Sequence, residues 1–235
     1  MNFSYQDVAK TIDHSLLNPT LTVSDLEQGC ELAAQFDVAS VCILPYYVRR
    51  CAEILRGTSV VASTTIGFPH GGHTTAVKVA EAEGALADGA VELDMVVNIS
   101  KVLSGDYAYV GAEVGRVVGV THTAGGKLKV IFENCYLNTD QKVILCKMCS
   151  DAGVDWVKTS TGYGSGGATI EDLELMLRNV GPNVQVKAAG GVRDLDTLLK
   201  IKAMGVTRCG ATRTATMLNE FRARLGQESI ALNFG

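Results

Sequence analysis

The sequence predicts a single-domain (β/α)8 barrel (TIM barrel) of the α/β class that spans residues 1–235. The length of 235 residues, 47% of them apolar, suits one large core. Short β-rich runs alternate with segments of helical period, which is typical of parallel strands joined by crossover helices. The β-rich runs number eight, as a closed barrel requires. No linker or low-complexity tract divides the sequence, and we treat the tail 226–235 as an accessory segment.

The predicted strands are the eight β-rich apolar runs at 11–17, 38–45, 60–68, 91–98, 128–133, 155–161, 184–190 and 206–212. Helical segments such as 23–37, 75–89, 139–153 and 169–181 separate them, several with a Ser, Thr or Asp cap and a closing Gly. An open doubly wound sheet is the competing architecture. It normally carries a glycine-rich fingerprint after its first strand, and here that position reads LLNPTLT. The strand count and this sequence favour the barrel.

Charge and hydropathy argue against several classes of partner. The formal net charge is -4, and Lys and Arg are scattered, so the basic surface that nucleic-acid binding needs is missing. No apolar run reaches the roughly 18 residues of a membrane span, and the start MNFSYQDVAK does not read as a signal peptide. We therefore expect a cytoplasmic protein that binds small molecules, and we leave its oligomeric state open, with a homodimer as one option.

Cysteine and histidine spacing gives little support for a metal. Cys146 and Cys149 form CKMC in a helical segment, but further ligands at suitable spacing are not apparent, so buried thiols are the expected reading. His70 and His73 flank two glycines in HGGH, which indicates a loop rather than a rigid set of ligands. His70, His73 and His122 therefore give only weak support for a metal site. We expect neither a metal nor a cofactor.

Three charged residues, Asp94, Lys158 and Lys187, lie inside otherwise apolar strands. A buried charge costs several kcal/mol unless it is paired or its pKa shifts. Each lysine alone could lie on the outside of its strand or form a purely structural ion pair, and strand alternation does not say which face points inward. Two lysines and an acid in one barrel favour a common site at the carboxyl ends of the strands.

Those residue types suit imine chemistry. An amine is nucleophilic only when it is deprotonated, and both burial and a neighbouring ammonium lower its pKa. Lys187 is placed to do this for Lys158, which would then condense with a carbonyl. Asp94, directly or through a water, would move the protons. The pattern predicts a class I aldolase that acts on a small sugar phosphate.

Glycines follow the last three strands and predict a phosphate site. Barrels commonly bind phosphate with the loops after strands seven and eight and a helix N-terminus, although glycines also simply turn a chain. Thr212 and Arg213 add a hydroxyl and a cation at the last loop. The candidate substrate contacts in these loops are Gly162, Tyr163, Gly190, Gly191, Gly210, Thr212 and Arg213.

Along nearly its whole length the sequence resembles the deoxyribose-phosphate aldolase family. The resemblance is carried by TIDHSLLNPT, VCILP, GFPHG, KVAEAEGALADGAVELDMVVN, VKTSTGYGSGGAT and VKAAGGVR. It implies a metal-free barrel that reversibly cleaves 2-deoxy-D-ribose 5-phosphate to glyceraldehyde 3-phosphate and acetaldehyde.

Site residues follow from the resemblance motif by motif. Lys158 corresponds to the Schiff-base lysine, Lys187 to its pKa-lowering partner and Asp94 to the proton-transfer acid. Asp13 would face Lys187 and hold it protonated. Thr159, within the KTSTG motif, and Cys42, late in its strand, are added as substrate contacts, with a core thiol as the alternative for Cys42.

Departures from the family pattern fall at the phosphate end. Tyr163 stands where some members have a lysine, and Arg213 stands in a loop that often carries consecutive serines. The end Asn233-Phe234-Gly235 lacks the tyrosine of some members.

Three other functions remain open. An isomerase would use Asp94 as a base without imine formation, a non-catalytic barrel would only bind a phosphate ligand, and a class II aldolase would need a divalent metal.

Overall fold

The computed structural model describes residues 3–232 and shows a closed barrel of eight parallel strands. The eighth strand pairs with the first, with Asp13 opposite Gly210. The fold prediction is therefore confirmed. The strands are β1 (Ile12–Leu16), β2 (Ser40–Ile43), β3 (Val61–Ile66), β4 (Glu92–Val96), β5 (Lys127–Ile131), β6 (Trp156–Lys158), β7 (Gln185–Ala189) and β8 (Arg208–Ala211).

Each observed strand overlaps its predicted run but is shorter than it. The shortest strand is β6, where the run 155–161 contributes only three strand residues. Thr159 lies just beyond β6, where its amide still donates to the Lys187 carbonyl at 3.2 Å. Its side chain adds two bonds: Oγ1 accepts from the Ala189 amide at 3.0 Å and donates to the Ala189 carbonyl at 3.1 Å. The end of β6 is thus tied to β7 by a threonine side chain.

Ten α-helices lie within residues 3–232 and surround the barrel. They are α1 (Tyr5–Ala9), α2 (Val23–Gln35), α3 (Val48–Ile54), α4 (Thr75–Ala87), α5 (Ile99–Leu103), α6 (Tyr107–Thr123), α7 (Thr139–Asp151), α8 (Ile170–Asn179), α9 (Leu195–Ala203) and α10 (Thr214–Arg224). Local caps explain several boundaries. Thr22 forms a capping box with Asp25 before α2, and Asn138 forms one with Gln141 before α7.

The apolar core lies between the strands and the helices, not inside the barrel. Alternate strand residues point to opposite faces, and the outward ones belong to this core, for example Val41, Leu93, Val130, Val157 and Val186. The inward residues include a large share of charged side chains. A barrel interior is more usually filled by layers of branched apolar residues, so the charged interior marks a functional region.

A buried ion pair fixes α4 against α6 next to the end of β4. Lys78 Nζ lies 2.8 Å from Glu113 Oε2 and donates to the Val96 carbonyl at 2.8 Å, and both side chains are fully buried. Glu113 also accepts from the Asn98 amide at 3.2 Å. Burial lowers the pKa of Lys78 and raises the pKa of Glu113. The pair satisfies one backbone group at the end of β4, the strand that carries Asp94, and one just beyond it.

Replacing Glu113 with glutamine should lower the free energy of unfolding by about 3–5 kcal/mol, since it leaves the Lys78 ammonium buried without its charge partner. Urea denaturation followed by far-UV circular dichroism would measure the loss. Glu174→Gln is the matched control, because Glu174 forms an exposed pair with Arg178 on one helix, and pairs of that kind contribute little. Equal midpoints for the two variants would contradict a stabilising role for the buried pair.

The segment after α10 is held against that helix as far as it is described. Asn219 donates to the Ile230 carbonyl at 3.1 Å and accepts from the Ile230 amide at 2.8 Å. Residues 233–235, where we noted the missing tyrosine, lie outside the described part of the chain. In residues 3–232 no helix combines the length and apolarity that crossing a bilayer needs.

Candidate active site

The structure brings Lys158, Lys187 and Asp94 together inside the barrel. Lys158 and Lys187 are register partners on β6 and β7. A single carboxylate oxygen of Asp94 accepts from both ammonium groups, at 2.7 Å from Lys158 Nζ and 2.8 Å from Lys187 Nζ. Because β4 and β7 are not neighbours in the sheet, these contacts cross the interior. All three side chains are buried.

Asp13 lies beside Lys187, as the sequence motif led us to expect. The distance from Asp13 Oδ2 to Lys187 Nζ is 2.5 Å. The other carboxylate oxygen accepts from Ser40 Oγ at 2.8 Å and from Arg208 Nη1 at 2.6 Å. Lys187 is therefore held between two carboxylates, Asp13 and Asp94.

Sequence reasoning missed three charged residues that support this cluster: Lys129, Glu92 and Arg208. Lys129 Nζ lies 3.0 Å from Asp94 Oδ1 and 2.5 Å from Glu92 Oε2. Arg208 binds Glu92 at 2.7 Å and stacks over the Trp156 ring, 4.9 Å from its centroid. One signal was available, since Glu92 lies two residues before Asp94 and so shares its face of the strand.

The environment lowers the pKa of Lys158. Burial is the main cause, and the neighbouring Lys187 ammonium adds to it, while the Asp94 carboxylate opposes both. For Lys187, burial is outweighed by Asp13 and Asp94, so its pKa is raised. Lys158 therefore gives up its proton more readily than an ordinary lysine and Lys187 less readily, which is the separation that imine formation needs.

Asp94 is held in its ionised form. Burial alone would raise its pKa, but Lys129, Lys158 and Lys187 together bring the pKa well below the usual value. The buried cluster contains three carboxylates and four basic groups, so deprotonation of Lys158 leaves the remaining charges balanced. This balance gives a second physical reason for the neutral form of Lys158.

A cavity of about 960 Å³ opens above these residues at the carboxyl ends of the strands. Lys158, Lys187, Asp13 and Cys42 form part of its wall, and Asp94 lies behind the two lysines. Most of the predicted loop contacts also line it, namely Gly162, Tyr163, Gly190, Gly191, Gly210 and Thr212. The sequence-predicted catalytic and loop residues thus meet at one cavity.

Two predicted contacts lie elsewhere. Thr159 is fully buried and uses its hydroxyl on the backbone of β7, so it organises the site from behind the wall. Arg213 is exposed and lies outside the cavity lining, whereas Arg193, at the end of VKAAGGVR, lies on it. Sequence reasoning placed the cation in the loop after β8, and the structure offers one in the loop after β7.

The loop after β7 presents backbone to the cavity. Gly190 and Gly191 have φ values of 76° and 92°, a region that favours glycine. A Cβ at Gly190 would lie 2.9 Å from the Gly167 Cα, so no side chain fits between the two loops. Consecutive backbone amides in such a turn suit an anion.

Cys42 and the histidines differ in their surroundings. Cys42 lines the cavity but is almost fully buried, and burial raises the pKa of its thiol, which makes it a weak nucleophile. His122 lies 2.9 Å from an Asp155 carboxylate oxygen on the outer surface. Among residues 3–232, no three His, Cys, Asp or Glu side chains are grouped so as to hold a metal ion.

The barrel, with ionisable residues gathered in its interior below a cavity at the carboxyl ends of the strands, has the architecture of a (β/α)8 enzyme. The model of the DeoC/LacD aldolase family matches residues 7–222, and the chain belongs to this family.

Individual relatives agree with this membership. A deoxyribose-phosphate aldolase from Rhodopirellula baltica is 63% identical, and the alignment covers 98% of this chain and 96% of that protein. The crystal structure of a putative deoxyribose-phosphate aldolase from Coccidioides immitis superimposes with a TM-score of 0.88 at 36% identity, covering 93% of this chain and 87% of the other. The deoxyribose phosphate aldolase of Aeropyrum pernix, described as tetrameric, gives a TM-score of 0.86 at 28% identity over 94% and 93% of the two chains.

Proposed function

We propose that this chain is a class I aldolase that reversibly cleaves 2-deoxy-D-ribose 5-phosphate to D-glyceraldehyde 3-phosphate and acetaldehyde. The observation that carries the proposal is the buried Lys158 amine, which contacts Asp94 at 2.7 Å and faces the cavity. The name of the Rhodopirellula baltica relative, at 63% identity, supports the substrate.

In the proposed reaction the neutral Lys158 amine attacks the C1 aldehyde of the open-chain sugar, and loss of water gives a protonated imine. A base removes the proton of the C3 hydroxyl, the C2–C3 bond breaks, and its electron pair passes to the imine nitrogen as an enamine forms. C3 becomes the aldehyde of glyceraldehyde 3-phosphate. Protonation of the enamine at C2 and hydrolysis release acetaldehyde and regenerate Lys158.

Asp94 is the group we propose for these proton transfers, directly or through a water, because its carboxylate is ionised and lies beside the reacting nitrogen. Lys187 remains charged between Asp13 and Asp94 and disfavours protonation of Lys158. In this scheme no residue besides Lys158 forms a covalent bond to the substrate.

The phosphate group would lie at the loops after β7 and β8. Gly190 and Gly191 supply backbone amides, Thr212 supplies a hydroxyl, and Arg193 is the cation on the cavity wall. This assignment fits the common phosphate position in (β/α)8 enzymes.

We also propose that the enzyme acts in the cytoplasm. Its seven cysteines are all free thiols, which suits a reducing compartment. A homodimer stays a prediction, and a tetramer, as described for the Aeropyrum pernix enzyme, is the other outcome that size-exclusion chromatography with light scattering would distinguish.

The function is tested by comparing cleavage of deoxyribose 5-phosphate and of unphosphorylated deoxyribose in an assay coupled to the aldehyde products. We expect kcat/KM to favour the phosphorylated sugar by about 10²-fold or more, because hydrogen bonds to a charged group contribute strongly. Absence of cleavage would refute the proposal. Activity that is lost in EDTA and restored by a divalent metal would point to a class II aldolase instead.

Two arginine variants locate the phosphate contact in the same assay. Arg193→Ala should lower kcat/KM for the phosphorylated sugar by about 10-fold or more, while leaving deoxyribose cleavage nearly unchanged. Arg213→Ala should have the smaller effect, since Arg213 lies off the cavity wall. The reverse order would restore the arginine that the sequence favoured, and equal rates on both sugars in the native enzyme would overturn the phosphate site itself.

A further inference from the structure

A second cavity of about 470 Å³ adjoins the substrate cavity on the β3 to β6 side of the barrel mouth. Thr161 and Tyr163 line both cavities. The other walls of the second cavity combine apolar side chains with a few polar ones, and they include Pro69, His70, Ile99, Leu103, Glu133 and Tyr136. The proposed aldolase reaction leaves this space unused.

Tyr163 spans the barrel mouth between the two cavities. Its hydroxyl donates to the Leu17 carbonyl at 2.7 Å, which joins the loop after β6 to the loop after β1. Its ring meets the Phe68 ring edge to face, with centroids 5.3 Å apart. Burial raises the pKa of the Tyr163 phenol, so the hydroxyl stays a proton donor at neutral pH. The side chain is fixed at both its hydroxyl and its ring.

The loop that carries Tyr163 is anchored below the ring. The Tyr163 amide donates to Thr161 Oγ1 at 3.0 Å, and the Thr161 hydroxyl and amide both donate to the buried Glu133 carboxylate. Gly164 packs so closely on the segment after β5 that a Cβ there would lie 2.9 Å from Cys135 Sγ. Because the loop is held in this way, the ring has little freedom to leave the boundary between the cavities.

We propose that Tyr163 is a specificity-determining residue that separates the substrate cavity from the second cavity and so excludes aldehydes with long apolar chains. The proposal rests on the proposed aldolase function. Shortening the side chain would join the two spaces beside Lys158, and Ile99, Leu103 and Pro69 would then offer an apolar surface to the tail of the aldehyde.

The test measures aldol addition of acetaldehyde to propanal and to hexanal. Hexanal carries three more methylenes, and burying each one favours binding by about fourfold. Tyr163→Ala should therefore raise the ratio of kcat/KM for hexanal over propanal by at least about tenfold. Tyr163→Phe keeps the ring and should stay within about threefold of the native ratio. Tyr163 is 48% exposed, so both variants are expected to fold, and thermal unfolding checks this.

Refilling the second cavity gives the sharper control. In Tyr163→Ala combined with Leu103→Trp, the indole should occupy the opened space and return the ratio to within about threefold of the native value. Tyr136→Ala enlarges the second cavity alone and should leave the native ratio unchanged.

Three results would overturn the proposed role of Tyr163. The ratio of kcat/KM for hexanal over propanal could stay at its native value in Tyr163→Ala, or it could rise equally in Tyr163→Phe. It could also stay raised in Tyr163→Ala after Leu103→Trp is added. A Tyr163→Ala variant that adds acetaldehyde to neither aldehyde, although the native enzyme cleaves deoxyribose 5-phosphate, would overturn that role as well. Absence of that cleavage in the native enzyme would instead refute the proposed function, so the two failures are distinct.

Discussion

Replacing Lys158 with alanine should lower kcat for cleavage of deoxyribose 5-phosphate by about 10⁴-fold or more. Without the amine no imine forms, and the C2–C3 bond loses the electron sink that makes its cleavage feasible. The same variant should lose reductive trapping, in which borohydride and acetaldehyde attach an ethyl group to the reactive lysine. Peptide mass spectrometry would locate that group in the native enzyme.

Lys158→Arg and Lys142→Ala are the controls for this experiment. Arginine keeps a positive charge near Asp94 but stays protonated, so it should be as inactive as alanine. Lys142 pairs with Asp172 away from the barrel interior, and its loss should leave both trapping and turnover intact. An adduct that survives in Lys158→Ala would place the reactive amine elsewhere, with Lys187 as the first alternative.

The sequence predicted the barrel because its signals are local. Each strand is a short β-rich run, and caps such as the Thr22 and Asn138 side chains mark where helices begin. The lengths were less well predicted. The run 155–161 reads as one strand, but in the structure β6 ends at Lys158, and the Thr159 hydroxyl adds a hydrogen bond to β7 beyond that point.

The inner charges were harder to predict, because they depend on closure of the barrel. Lys129 contacts Asp94 on the neighbouring strand and approaches Asp13 to 3.6 Å across the interior. Period-2 alternation places a residue on one face of its strand but does not say which face points inward. Arg208 and Glu92 were overlooked for the same reason, although both lie within runs that we identified as strands.

Which arginine lies near the proposed phosphate site depends on the direction that each loop takes. Arg193 and Arg213 each follow a glycine-containing segment at the end of a strand, and composition does not distinguish them. The positive φ values of Gly190 and Gly191 turn the chain after β7, and only Arg193 lies on the cavity wall. Such turns are set by tertiary packing, so the sequence pattern that led us to Arg213 does not show which of the two arginines lies on the cavity wall.

Asp94→Asn is the second variant for which we expect a large effect, a fall in kcat of about 10²- to 10⁴-fold. Asparagine preserves the shape of the side chain but neither accepts nor delivers a proton as a carboxylate does. Burial and Lys187 lower the pKa of Lys158 while Asp94 opposes them, so the substitution lowers that pKa further. The amine should stay available, and slow trapping with acetaldehyde should persist although turnover is nearly lost.

The pH profile separates this effect from a general disruption of the site. Activity needs the neutral Lys158 amine, so kcat/KM should fall as the pH drops through the pKa of this lysine in the folded enzyme. Asp94 itself stays ionised there, because its pKa lies well below the usual carboxyl range. In Asp94→Asn this fall in kcat/KM, the acid limb of the profile, should occur at lower pH than in the native enzyme, by about one unit or more.

Lys187→Met should move the same limb in the opposite direction. Removing the ammonium beside Lys158 takes away a like charge, which raises the pKa of Lys158 and shifts the fall in kcat/KM to higher pH. If the two substitutions only disrupted the packing of the site, the acid limb would move in the same direction in both variants or would not move. Opposite shifts in Asp94→Asn and Lys187→Met, with trapping still at Lys158, would therefore show that Asp94 and Lys187 set the pKa of the Lys158 amine. Shifts in the same direction would contradict that assignment.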